Sequence, residues 1–275
     1  MPMSLFDEVL SSDFTVFKNK EIFNLDYIPE IIQCRDAQLK SVLINIKPLL
    51  DNNKAINSIL IGNTSTGKTT VVKHAIREIE EHTNLKTCYI NCNIQDTLRK
   101  CYFQIYRVLF DREARHGLST ELIQEEVMKK LEEESCILAI DDINYLSKND
   151  ANDLINELFR SNEFYHINVA LIITINDETF KYSLEKNAQS ILLGHEIRFN
   201  DYTKDEIYSI LKYRCNVGLK DRVINDEQLE RISNYSYKIA SLRRGLILIQ
   251  VLGQTIESEN RCKIEDDDID KYIPY

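Results

Sequence analysis

The stretch SILIGNTSTGKTTVVKHAIREIEEH, residues 58 to 82, decides the fold class of this chain. It begins as a short apolar strand pattern that ends in Gly62, and after Gly67 it continues with apolar residues at helical spacing. Between these two patterns, GNTSTGKT (62 to 69) fits G-x-x-x-x-G-K-[ST] completely. Strand, loop and helix therefore follow one another in the order that a phosphate-binding loop requires.

The residue types in this loop predict a site for a nucleoside triphosphate. Glycines let backbone amides approach the phosphates, Lys68 neutralises the β and γ oxygens, and the Thr69 hydroxyl holds Mg²⁺. A chance match is the alternative, and the flanking strand and helix argue against it. The predicted nucleotide-binding residues here are Gly62, Asn63, Thr64, Ser65, Thr66, Gly67, Lys68, Thr69 and Thr70.

Three more apolar runs alternate with helical patterns farther along the chain. They are TCYINC (87 to 92), CILAID (136 to 141) and VALIITIN (169 to 176). The segment from Thr97 to Glu134 is predicted to be mostly helical, with an interruption near His116 and Gly117. Strands that alternate with helices predict an α/β fold with a parallel, doubly wound sheet.

Polar side chains follow two of these predicted strands. Asp141 and Asp142 come after four apolar residues, where the carboxyl end of a buried strand would lie next to the phosphate loop. Asp141 is predicted to hold Mg²⁺, through water, and Asp142 to orient the attacking water or, alternatively, to cap a helix. Asn176 ends its strand, where it would sense the γ-phosphate or, alternatively, only form a turn.

The composition narrows the classes of protein to which the chain can belong. Its 275 residues are 43% hydrophobic, which suffices for a packed core. The formal charge of −10 opposes indiscriminate binding to nucleic acid. Seven scattered cysteines suit reduced thiols, and no apolar run approaches the length of a membrane span. We therefore predict a cytoplasmic protein without a membrane partner.

One stretch, TLRKCYFQIYRVLFDREAR (97 to 115), carries a local excess of positive charge. Its aromatic residues are predicted to form a core stripe rather than a platform for stacking bases. Its basic face is the best local candidate for contacts to DNA phosphates. The basic residues are Arg99, Lys100, Arg107, Arg112 and Arg115.

The strand patterns stop at about Asp201, and the rest of the chain is predicted to be helical. We expect an N-terminal segment at 1–22, a nucleotide-binding α/β domain at 23–200 and a small all-helical lid domain at 201–275. Arg243 and Arg244 lie in a predicted helix of the lid. A guanidinium there would suit the nucleotide phosphates, and solvated surface arginines are the alternative.

The ordered motifs resemble the archaeal origin-recognition and cell-division-cycle initiator family of AAA+ ATPases. The stretches that carry the resemblance are DYIPEIIQCRDAQL (26 to 39), YINCN (89 to 93), GLSTEL (117 to 122), FNDYTKDEIYSILKYR (199 to 214) and SLRRGLILI (241 to 249). The resemblance implies a slow ATPase that binds ATP or ADP with Mg²⁺ and acts in origin recognition and replication initiation. It also implies DNA and other AAA+ initiator subunits or replication proteins as partners.

The resemblance assigns further residues to the nucleotide site. It places Asn176 as the sensor-1 residue and Arg243 as the sensor-2 residue, with catalytic roles beside Lys68 and the two aspartates. The residues that it implies around the base are Tyr27, Ile28, Pro29 and Arg35, and Tyr202 and Arg243 are also predicted to bind the nucleotide.

Three features depart from the family pattern. Asp142 replaces a glutamate, and Asn187 stands where the family has an arginine finger. Family members usually carry a C-terminal winged helix as their duplex reader, whereas this sequence reaches Tyr275 just after the lid, so we expect no winged helix within it. Two alternatives stay open, namely a hydrolysis-deficient, nucleotide-bound interaction module and another AAA+ task such as clamp loading.

Overall fold

The computed structural model describes residues 14–51, 53–115, 117–164, 167–192 and 195–273. The chain divides into two compact units, one formed by Arg35–Asp201 and the other by the segment up to Cys34 together with the chain from Tyr202 onward. This division differs from the predicted boundaries at residues 22 and 200. Residues 1–13 of the predicted N-terminal segment, and His116 of the predicted helix interruption, lie outside the described residues.

The Arg35–Asp201 unit, called the sheet unit below, is built on five parallel strands in the order β2-β3-β4-β1-β5. The order confirms the predicted parallel α/β fold. The strands are β1 (Ser58–Ile61), β2 (Lys86–Asn91), β3 (Cys136–Asp141), β4 (Val169–Ile175) and β5 (Glu196–Arg198).

Seven α-helices of the sheet unit are described, together with a 3₁₀ turn at Ile143–Tyr145. They are α1 (Asp36–Leu50), α2 (Lys68–His82), α3 (Leu98–Phe110), α4 (Thr120–Glu133), α5 (Lys148–Phe164), α6 (Glu178–Ser183) and α7 (Lys186–Leu192). The predicted helical segment from Thr97 to Glu134 forms two helices, α3 and α4, and Gly117 of the predicted interruption lies between them. Thr97 and Ser119 cap their first turns by accepting bonds from the backbone N–H groups of Lys100 and Leu122.

Burial explains why the central strands are apolar runs without alternation. Every residue of β1, β3 and β4 is buried, as expected for parallel strands that are covered on both faces. Strand β5 was not predicted, because its three residues Glu196–Arg198 are half-buried or exposed and two of them are charged. Its pairing with β1 comes from tertiary contacts rather than from a hydrophobic pattern.

The second unit, called the helical unit below, contains a 3₁₀ helix and four described α-helices. These are Lys20–Phe23, α8 (Lys204–Gly218), α9 (Asp226–Lys238), α10 (Leu242–Ser258) and α11 (Asp266–Asp270). Residues between Val16 and Phe23 are part of its core, since Phe17 forms an antiparallel bridge with Leu219 and its ring meets Phe23 edge-on at 5.9 Å. Local periodicity could not predict this long-range packing.

None of the helices in the described ranges combines the length and apolar composition needed to span a bilayer.

Candidate functional site

The loop from Gly62 to Lys68 turns sharply between β1 and α2. A Cβ atom at Gly62 would lie 2.1 Å from the backbone oxygen of Phe199, so only glycine fits there. Gly67 has a φ of 93°, in the left-handed region that glycine adopts without strain. Ser65 also has a positive φ, 65°, and is the position at which the sequence has serine rather than a further glycine.

Lys68 is buried, with 4% of its surface exposed, and its ammonium group turns back onto the loop. Nζ donates to the carbonyl oxygens of Gly62 at 2.7 Å and Asn63 at 2.6 Å, and it lies 3.4 Å from the Thr66 hydroxyl. Bonds to these acceptors offset much of the cost of burying the charge. The lysine is therefore held inside the curve of the loop.

The Asp141 carboxylate is the centre of a cluster of hydroxyl groups at the carboxyl end of β3. Thr69 Oγ1 donates to Oδ2 at 2.9 Å, and the Tyr89 hydroxyl donates to the same oxygen at 2.7 Å. Thr174 Oγ1 donates to Oδ1 at 2.7 Å. Asp141 is 2% exposed, and these bonds from β2, β4 and α2 stabilise its buried charge.

The Tyr89 phenol stays protonated in this cluster. Burial raises its pKa well above the usual range, and the charge of Asp141 and the hydrogen bond to it raise the pKa further. A protonated phenol can only meet a carboxylate as a donor. Tyr89 is therefore the donor in its hydrogen bond with Asp141.

Asp142 and Asn176 are also brought together. Asn176 Nδ2 donates to Asp142 Oδ1 at 2.6 Å, and the backbone N–H of Asp142 donates to Thr174 Oγ1 at 2.7 Å. Asp142 has a φ of 57° and stands before the 3₁₀ turn Ile143–Tyr145, but its carboxylate makes no capping bond to that turn. The geometry therefore disfavours the alternative of a simple helix cap.

Arg35 lies at the start of α1, with 5% of its surface exposed. Its Nε donates to the backbone oxygen of Thr66 at 2.9 Å, and Nη2 donates to that of Asn200 at 2.7 Å. The guanidinium thus joins the phosphate loop to the chain that follows β5. The predicted role of Arg35 beside the base stays a prediction.

The remaining predicted site residues belong to the helical unit. Tyr27 is half-buried there, and the guanidinium of Arg214 lies over its ring at 4.8 Å. Arg243 is exposed in the first turn of α10. Ile28 and Tyr202 are half-buried, and Pro29 is buried. Their nucleotide-binding roles stay predictions.

The basic stretch on α3 is partly neutralised by its neighbours. Lys100 pairs with Asp96 at 2.6 Å, and Arg107 lies 3.8 Å from Glu113. Arg99 donates to the Leu118 carbonyl at 2.8 Å and to the Thr120 hydroxyl at 3.0 Å. The aromatic residues Tyr102 and Tyr106 are buried in the core, as predicted for a core stripe.

Two residues of the cluster, Thr174 and Tyr89, were not predicted from the sequence. Thr174 is the one hydroxyl residue in the apolar run VALIITI, two positions before Asn176. Tyr89 alternates along β2 with the buried Cys88 and Ile90, and so faces the opposite side of the sheet from them. An unexplained polar residue in a buried strand is the signal that could have found Thr174.

The fold resembles those of two solved structures. Cdc6p of Pyrobaculum aerophilum superposes with a TM-score of 0.84 at 22% identity, over 94% of this chain and 71% of that one. The Aeropyrum pernix ORC1 protein, solved in complex with DNA, gives a TM-score of 0.84 at 24% identity, over 93% and 68% of the two chains. These likenesses agree with the parallel sheet and helices described above.

The amino-acid sequence is also similar to a family model and to a DNA replication protein. The family model described as an AAA domain matches residues 53–179, which include the phosphate loop, Tyr89, Asp141 and Asn176. The ORC1-type DNA replication protein 2 of Methanothermobacter thermautotrophicus is 32% identical over 273 residues, which span 97% of this chain and 72% of the relative. An identity of this size over nearly the whole chain, on an AAA+ fold, places the protein in the family of archaeal ORC1-type DNA replication proteins.

Proposed function

We propose that this chain binds ATP with Mg²⁺ at the loop of residues 62–69 and acts as a nucleotide switch in the initiation of DNA replication. The observation that carries the proposal is the contact between Thr69 and Asp141, at 2.9 Å. It joins the last residue of the loop motif to the acidic end of β3, as a site for Mg²⁺ and phosphates requires. Family membership supports the replication role.

The oxygen donors at this contact suit Mg²⁺, which prefers hydroxyl, carboxylate, water and phosphate oxygens. Thr69 Oγ1 would hold the ion, and Asp141 would bind it through water. When bound, Mg²⁺ neutralises charge on the β- and γ-phosphates. Thr69 Oγ1 and Asp141 Oδ2 already lie 2.9 Å apart at the carboxyl end of the sheet. Neither side chain would therefore have to move across the site to bind the ion.

Lys68 supports the same proposal. Its Nζ is held by two carbonyl oxygens of the loop, and phosphate oxygens would replace these acceptors when a nucleotide binds. Bonds from an ammonium group to charged phosphate oxygens are stronger than bonds to neutral carbonyls. The exchange therefore favours the bound nucleotide.

Hydrolysis is proposed to be slow. Asp142 has a side chain one methylene shorter than glutamate, and its carboxylate is already bound by Asn176 at 2.6 Å. A short carboxylate that is held by this hydrogen bond can orient only a water molecule that lies close to it. The same contact favours the second candidate function, a protein that holds its nucleotide without hydrolysing it and acts only through partner interactions.

The proposed partners are origin DNA, bound weakly by this chain, and other AAA+ initiator subunits or replication proteins. The family supports both, and the DNA in the solved complex of the Aeropyrum pernix ORC1 protein supports the first. Asn187 is exposed on α7, where an arginine finger was expected from the resemblance, so a neighbouring subunit would receive no guanidinium from it. The predicted cytoplasmic location stays a prediction.

A calorimetric titration with ATP and Mg²⁺ tests the binding site. Lys68→Ala should weaken binding at least tenfold, because charge-assisted hydrogen bonds contribute about 1.5–3 kcal/mol each. Lys129→Ala, which removes an exposed lysine from α4, is the matched control and should bind like the unchanged protein. Equal ATP affinities for Lys68→Ala and the control would show that the loop does not bind the nucleotide as proposed.

A further inference from the structure

Tyr89 lies outside the phosphate loop and outside the acidic end of β3, yet its hydroxyl reaches their meeting point. The phenol donates at 2.7 Å to Asp141 Oδ2, the same oxygen that accepts from Thr69. Thr174 donates to the other oxygen at 2.7 Å. Hydroxyl groups from three separate elements therefore fix both ends of one carboxylate.

The position of Tyr89 is itself well defined. Strand β2 pairs with β3 in a register that sets Tyr89 opposite Ala139, two residues before Asp141. The ammonium group of Lys73, on α2, lies over the phenol ring at 5.4 Å from its centroid. The strand register and the contact with Lys73 thus place the ring where its hydroxyl meets Asp141.

The two hydrogen bonds on Asp141 Oδ2 also limit which further partners this oxygen can accept. A carboxylate oxygen has about two lone-pair positions. On Oδ2, Thr69 and Tyr89 occupy both, so a metal ion held by Thr69 would meet a carboxylate that already points in a defined direction. Mg²⁺ demands near-ideal octahedral geometry and keeps several waters, so the direction of an outer carboxylate matters to its affinity.

We propose that Tyr89 is a positioning residue, whose hydroxyl orients the Asp141 carboxylate toward the water shell of the Mg²⁺ that accompanies the nucleotide. This inference rests on the proposed function, because it concerns the metal side of the same site. Residues that hold metal ligands through hydrogen bonds typically contribute about 10–100-fold to metal affinity. The effect of Tyr89 should therefore be on Mg²⁺ rather than on the nucleotide alone.

The test is the Mg²⁺ concentration that half-saturates the Mg²⁺-dependent gain in ATP affinity, followed with a fluorescent ATP analogue on the full chain. Tyr89→Phe keeps the ring beneath Lys73 and removes only the hydroxyl. Tyr102→Phe is the matched control, since the Tyr102 hydroxyl also donates to a carboxylate, that of Glu157, at 2.6 Å. Affinity in EDTA is measured for each protein as a second readout.

We expect Tyr89→Phe to raise the half-saturating Mg²⁺ concentration about tenfold, and to change ATP affinity in EDTA less than twofold. Tyr102→Phe should match the unchanged protein in both measurements. An unchanged Mg²⁺ requirement in Tyr89→Phe, or an equal loss of affinity with and without Mg²⁺, would overturn the positioning role while leaving the nucleotide site intact. If the unchanged protein binds no ATP, the proposed function and this inference are both wrong.

Discussion

The carboxyl end of the sheet and the basic face of α3 hold their polar side chains in different ways. At the end of the sheet, Asp141 and Thr174 are almost fully buried, and their hydrogen bonds join separate strands. On α3, Lys100 and Arg107 are exposed, and their ion-pair partners lie only a few residues away along the chain. The first arrangement is tertiary and the second is local.

This difference indicates which of the two regions is the better candidate for a functional site. Burying a charged group is costly unless several partners compensate, so a buried polar cluster must be built by the whole fold. Exposed ion pairs contribute about 0–1 kcal/mol and form wherever opposite charges are neighbours. The cluster around Asp141 is therefore the stronger candidate for a functional site, and the face of α3 is at most a weak electrostatic surface.

The largest effect is expected from substitutions in the cluster around Asp141. Asp141→Asn should lower steady-state phosphate release about 100-fold or more, because it removes the charge that faces Mg²⁺. Asp142→Glu should raise the same rate, since the longer side chain extends toward the attacking water. Equal rates for Asp142→Glu and the unchanged protein would show that Asp142 does not orient water or that another step limits turnover.

A smaller effect is expected on stability at the same place. Thr174→Val keeps the shape of the side chain but removes the hydroxyl that bonds Asp141 and the Asp142 N–H. Leaving buried polar groups without that partner should cost about 1–3 kcal/mol, visible as a lower melting temperature. Thr174→Ser is the control, because it restores the hydroxyl. A Thr174→Val protein as stable as the unchanged one would mean that the cluster does not depend on this bond.

The smallest effect is expected at α3. DNA affinity of the chain should be in the micromolar range or weaker at physiological salt, as for non-specific binders. The salt slope of this binding should be about −0.9 for each phosphate that the unchanged protein neutralises, and reversal of charge at Arg99, Lys100 and Arg107 should abolish the binding. Lys40→Glu with Lys47→Glu on α1 is the control. Tight, sequence-specific binding that survives the three reversals would place the DNA surface elsewhere.

The predictable part of the molecule is the part that is encoded locally. The loop at 62–69, the buried runs of β1, β3 and β4, and the residues at their ends follow from short-range patterns, because parallel strands buried on both faces are apolar throughout. The fold class was therefore confirmed. The roles assigned to the site residues stay predictions.

The parts that were not predictable depend on interactions between distant segments. Strand β5 has three residues and a charged pattern, and the placement of Phe17 in the helical unit depends on Leu219, about two hundred positions away. Tyr89 looks like an ordinary strand residue until the register of β2 on β3 brings it to Asp141. The ion pairs of Lys100 and Arg107 are local, but they depend on side-chain conformations that a sequence pattern does not determine.

The proposed nucleotide site is best tested by a crystal structure of the chain with a non-hydrolysable ATP analogue and Mg²⁺. We expect Lys68 Nζ to leave the carbonyl oxygens of Gly62 and Asn63 for phosphate oxygens. We also expect the metal ion to be bound by Thr69 Oγ1 and linked to Asp141 by water. A nucleotide bound away from this loop would contradict the proposal. So would a metal ion that contacts neither Thr69 Oγ1 nor a water molecule bound to Asp141.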